Sequence, residues 1–150
     1  MRQSTRVKIS PVRLLAVWAA ASVVSAVANV AVGTAWRAIL NLPSNFAQMA
    51  PPAIISITIV GVAAAVIVFA VVARIADDPV RTFTFLVAPI GLVVSWVFDA
   101  ALYVTRAFPG TTGRGVLALM TLHVITAVIT VLLLRAQGLP KTRTARGVGA

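Results

Sequence analysis

Cysteine is absent from the 150-residue chain, histidine occurs once, and Asp and Glu together number three. No cysteine means no disulfide, no thiolate metal site, no quinone-linked thiol oxidation and no cysteine nucleophile. A single histidine leaves a closed metal site short of donors. A haem held between two imidazoles would need two chains. The chain also shows no nucleotide-binding glycine pattern, no zinc-protease motif and no nucleophile elbow. With no catalytic set in view, the reading is non-enzymatic, with no cofactor and no metal.

Charge is scarce as well. Charged residues make up 11% of the chain against 60% hydrophobic, and the mean hydropathy is +1.01. A soluble domain is about a quarter charged and about half apolar. A soluble chain of this size has too little interior to hide so much apolar surface. The bilayer resolves the excess. Net charge is +10, but the basic residues sit at the chain ends and between apolar runs. That layout argues against a nucleic-acid partner and for a lipid surface.

A helix crossing hydrocarbon needs about 20 mainly apolar residues, and four windows qualify: about 12–35, 52–73, 80–104 and 115–134. Backbone groups in lipid must bond within the segment, so each window is expected to be helical despite its Val and Ile content. The fold class is therefore all-α: one domain over 1–150, an antiparallel bundle of four transmembrane helices with basic tails at 1–11 and 135–150. Pro and Gly punctuate it. NLPSNFAQMAPP forms the first connection and RAFPGTTGRG the third. Asp78 can N-cap the third helix, with Pro79 at its first position. The apolar part of the first span is longer than a signal-peptide core, so that span is expected to be retained. There is no convincing internal repeat of the kind that marks inverted-repeat transporters.

Basic residues give the direction. Arg2, Arg6, Lys8, Arg13, Arg74, Arg81, Arg135, Lys141, Arg143 and Arg146 fall on one side. Only Arg37, Arg106 and Arg114 fall on the other. The positive-inside rule then predicts a multi-pass protein of the bacterial inner membrane with both termini cytoplasmic. Arg2, Arg6, Lys8, Arg13, Arg135, Lys141, Arg143 and Arg146 are also the candidate contacts to anionic lipid headgroups. Trp36 and Tyr103 near one membrane face, and Trp18 near the other, fit interfacial belts.

In lipid, small and weakly polar residues mark helix contacts. The predicted inward faces are Ala21, Ser25, Asn29 and Gly33 on the first span, and Thr58, Gly61 and Ala65 on the second. On the third they are Thr84, Ala88, Gly91, Ser95 and Asp99; on the fourth, His123, Thr126 and Thr130. Pro89 with Gly91 is expected to bend the third helix near its middle.

Asp99 stands out because it lies within a span. A charged Asp at the centre of a span costs about 2.5–3.5 kcal/mol on the insertion scale, and less near the interface. About a dozen Leu, Ile, Val and Phe residues in the same span return roughly 4–7 kcal/mol. Partners such as Asn29, Tyr103, Arg106 or His123 would lower the cost further. Asp99, His123, Asn29, Ser95 and Thr126 form the candidate intramembrane polar site. Two readings of it stay open. In one it locks helix packing, with Asp99 buried among neighbours or reaching outward to Arg106. In the other Asp99 is a proton-titrating or cation-binding group and His123 its modulator.

The last span, ALMTLHVITAVITVLLL, with its lone His after Leu122 and an Ala four residues on, resembles the final helix of an uncharacterised family of small bacterial four-span membrane proteins. Asn29 near the end of the first span is similar to that family's pattern. In the family a Met directly precedes the His; here Leu122 does, with Met120 two residues earlier. The resemblance implies a four-span layout and a bacterial membrane location, and supplies no activity. The leading functional expectation is a non-enzymatic membrane component that packs with itself or with a membrane protein partner. The alternative is a small oligomeric proton-coupled transporter or channel using Asp99 with His123.

Overall fold

The computed structural model describes residues 10–137. Four long helices account for nearly all of it: α1 (Pro11–Ile39), α2 (Pro51–Ile75), α3 (Pro79–Thr105) and α4 (Gly113–Gln137). Each is long and apolar enough to cross a membrane, so the chain is an all-α, multi-pass membrane protein. The helices overrun the predicted windows by up to a few residues at each end. We call the end with the 40–50 and 106–112 connections distal, and the end with the α2–α3 turn proximal.

Local chemistry sets the helix ends. Proline opens α1, α2 and α3, where its missing N–H would be unpaired in any case. The Asp78 side chain accepts a hydrogen bond from the Arg81 N–H at 3.0 Å, the cap the sequence predicted. At the far end of α3, Arg106 takes the left-handed conformation, φ 48°. The RAFPGTTGRG connection is shorter than its glycines imply. Gly113 opens α4 and Gly115 lies inside it.

α1 is the central helix, with α2 against one side and α4 against the other. Its buried line is Val17, Ala21, Ser22, Ser25, Asn29 and Gly33, which contains the predicted small-residue face whole. A methyl on Gly33 would come within 2.7 Å of Ile54 Cδ1, so α1 and α2 approach closely there. Two apolar clusters result. The proximal one joins Val17, Ala21, Val62, Phe69, Phe83 and Leu134. The distal one joins Met49, Ile54, Ala118 and Leu122 around the fully buried Phe46 ring. Phe46 comes from the first connection and plugs the distal end against Gly115.

α3 is the least covered member of the antiparallel bundle. It packs on α4 but meets α2 mainly near its proximal start. There the Phe69 and Phe83 rings sit edge to face, 5.3 Å apart. Only 6% of its most apolar window is buried, against 22–28% for the other three helices. Gly61 and Gly91, predicted to lie on helix seams, face open space instead: a Cβ on either would meet nothing within 4 Å. The helix is irregular next to Pro89. The irregularity lies one turn earlier, where Phe83–Val87 forms a π-helical turn and the Ala88 N–H donates to the Phe83 carbonyl. Proline's ring collides with the carbonyl four residues before it. Widening the preceding turn is one way to relieve that crowding, and π turns occur as such single interruptions.

Candidate functional site

Between α2, α3 and α4 lies a cleft of about 680 Å³. It is within the range of small-molecule sites. It runs along α2 from Ala53 to Val68, roughly 22 Å at 1.5 Å per residue. The proximal part is walled by apolar side chains such as Val68, Phe83 and Val131. The polar residues of the wall lie mostly toward its distal part: Asn29, Gln48, Ser95, Asp99, His123 and Thr126.

The five predicted site residues all reach this wall, but four of them form two separate groups and Ser95 stands alone. In the first, the Asn29 amide donates to Thr58 Oγ1 at 3.0 Å and to Thr126 Oγ1 at 2.7 Å. One side chain thereby ties α1 to α2 and α4. In the second, Asp99 Oδ2 lies 3.2 Å from His123 Nε2. That is ion-pair distance, yet Asp99 Oδ2 has no partner in hydrogen-bond geometry, so the contact is close without being well aligned. Ser95 joins neither group; its hydroxyl donates to the Leu92 carbonyl.

Helix geometry explains the Asp99–His123 contact. By axial rise alone the two residues are offset by about one turn. Side chains on a helix lean toward its N-terminus. The α3 N-terminus is proximal and the α4 N-terminus distal, so Asp99 and His123 lean toward each other and close the gap. Trp96, one turn from Asp99, donates its indole N–H to the Met120 carbonyl at 3.2 Å and fixes α3 on α4 beside the pair. Among the described residues no other acid–base pair comes within 4 Å. Asp99 therefore does not reach Arg106, which is exposed at the end of α3. Asn29 does not join Asp99 either.

The pair differs in exposure: the Asp99 side chain is 8% exposed and that of His123 30%. The carboxyl is held inside the wall and the imidazole reaches the cleft. Several other polar atoms nearby are shut off and unpartnered, including Asn29 Oδ1, Gln48 Oε1 and Thr130 Oγ1. Among the described residues no three His, Asp or Glu side chains converge as metal ligands would.

Thr58, Gln48 and Trp96 are site residues that the sequence reading left out of the candidate set. Thr58 was within reach, since it shares the depth of Asn29 on the predicted face of α2. Trp96 and Gln48 gave no signal, because an indole in a span and an amide in a loop have many uses. Arg13 and Arg135 are exposed at the proximal ends of α1 and α4, as headgroup contacts require. Arg2, Arg6, Lys8, Lys141, Arg143 and Arg146 lie outside the described residues.

Fold and site together define a four-helix membrane protein with a side cleft and an acid–imidazole pair in its wall. No protein-family model, no curated protein and no solved structure matches the chain.

Proposed function

We propose that the chain is a small proton-coupled transporter or channel, non-enzymatic, working through Asp99 and His123. The observation that carries this reading is the 3.2 Å approach of an intramembrane carboxylate and the chain's one imidazole, in the wall of a cleft. Ionisable groups within a span are costly and mark proton or ion paths by default. Imidazole serves as a proton shuttle, and a carboxyl in contact with it can take or return the proton.

Orientation and location belong to the same proposal. Arg13, Arg74, Arg81 and Arg135 flank the proximal end, and the remaining basic residues of both tails belong to that side by sequence. This favours a bacterial inner membrane with the proximal end cytoplasmic. Kinship with the uncharacterised four-span family rests on the last span and Asn29.

A second reading is supported by the sparse burial of α3. A helix with so little of its surface covered can engage a second copy or a membrane protein partner, and the Asp99–His123 contact would then serve packing. The two readings part in liposomes loaded with a pH-sensitive dye under an imposed potential. Proton flux through the wild type that Asp99→Asn abolishes, in a protein that still folds, supports transport. Equal flux in both, with altered assembly in the variant, supports the packing component.

A further inference from the structure

We infer that the cleft takes an amphiphilic amine: a single apolar chain ending in a protonated amino group that carries N–H donors. This rests on the proposed role of Asp99 and His123 and adds the chemistry of what they bind.

The acid in the polar wall points to a charged donor on the ligand. Three of the wall's hydroxyls donate within their own helices: Ser56 to the Pro52 carbonyl, Ser95 to Leu92 and Thr126 to Leu122. The Asn29 amide hydrogens go to Thr58 and Thr126. Four oxygens of wall residues are closed off without a partner: Asn29 Oδ1, Gln48 Oε1, Thr130 Oγ1 and Asp99 Oδ2. Asn29 and Asp99 are 2% and 6% exposed, so water satisfies neither well. Asp99 also lines the cleft, its side chain 8% exposed, so a donor seated there bonds the carboxyl and makes up for its misaligned contact with His123. A carboxylate favours a positive charge on the ligand.

Shape sets the rest of the molecule. The cleft continues from the polar wall along the apolar stretch toward Val68 and Val131, which suits a hydrocarbon chain. Gly61 and Gly91 border it with no atoms where side chains would stand. Exposed residues of α2 such as Ile57 and Val60 also line it, so the way in is sideways, from the lipid. An ammonium beside Asp99 disfavours a second positive charge on His123 at 3.2 Å. Amine entry and imidazole protonation therefore oppose each other, which couples the cation to a proton without any bond being made or broken besides N–H.

The single histidine provides a reporter. Protein labelled with ¹⁵N-histidine, in nanodiscs of zwitterionic lipid, is titrated with n-decylamine, n-decanol and decyltrimethylammonium. Decylamine is expected to shift the His123 signals saturably. Decanol lacks the charge and decyltrimethylammonium lacks the N–H, so each is expected to bind about tenfold more weakly or worse. Asp99→Asn is expected to weaken decylamine by a similar factor. Gly61→Leu with Gly91→Leu fills open space and is expected to abolish the shift in a protein of unchanged helicity. Equal binding of the three probes, or unchanged binding in the filled variant, overturns the inference. If decylamine fails while wild-type proton flux is lost in Asp99→Asn, only the ligand class is wrong. If the flux is absent as well, the functional reading fails with it.

Discussion

Replacing Asn29 with alanine tests how the bundle is held together. The amide makes two interhelical hydrogen bonds, at 3.0 and 2.7 Å, and is 2% exposed. Such bonds inside membranes are worth about 0.6 kcal/mol on average and at most about 1.7. Losing both, together with a small cavity, comes to about 1–3 kcal/mol. The unpartnered Oδ1 disappears in the same change and returns part of this cost. The assay is unfolding in mixed micelles of mild and denaturing detergent, followed by tryptophan fluorescence. Thr58→Val and Thr126→Val each remove one of the two bonds and should cost about half as much. Combined with Asn29→Ala, either should add little, because the bond is already gone. A loss below about 0.3 kcal/mol for Asn29→Ala, or full additivity with Thr58→Val, would refute the idea that Asn29 ties three helices.

Three other perturbations follow from the same structure. Gly115→Ala places a methyl 2.5 Å from the Phe46 ring, which is fully buried. Overpacking costs about 1–3 kcal/mol and helix propensity returns up to about 1, so the variant should unfold more easily in the same detergent titration. Trp96→Phe removes the bond to the Met120 carbonyl and should cost about 0.5–1.5 kcal/mol while raising hydrogen exchange in the distal half of α3. Single cysteines at Ser44 and Ala76 should be labelled by an impermeant thiol reagent from opposite sides of the membrane; the absence of native cysteine makes the background clean.

Much of the fold was legible because hydrocarbon imposes simple rules. Length and apolarity located the four helices, and spacing four on α1 placed Ala21, Ser25, Asn29 and Gly33 on the buried line. The same rule held for Thr58 and Asp99, which are buried, but misled at Gly61 and Gly91. A small residue permits close helix approach, but it also widens a cleft, and composition does not distinguish the two. Gly61 and Gly91 do the second. The buried line of α2 runs through Ile54, Thr58, Val62 and Val66, which mixes bulky and small side chains and keeps only Thr58 of the predicted face. The π turn at Phe83–Val87 was hidden for a related reason. Pro89 announces a disturbance, while the turn that absorbs it is the one that begins at Phe83, packed on Phe69. Asp99 and His123 were legible as unusual residues. Their contact was not, since it depends on two side chains leaning in opposite directions along antiparallel helices.

The most direct test of the account is the separation of these two groups in a bilayer. The chain has one His, and its three acidic residues are Asp77, Asp78 and Asp99, of which only Asp99 lies within a span. Labelling histidine with ¹⁵N and the aspartate carboxyl with ¹³C therefore isolates the pair for dipolar recoupling by solid-state NMR. The account predicts a strong coupling, corresponding to a nitrogen–carbon distance of about 4 Å, that Asp99→Asn labelling controls remove. No measurable coupling in the wild type would contradict it.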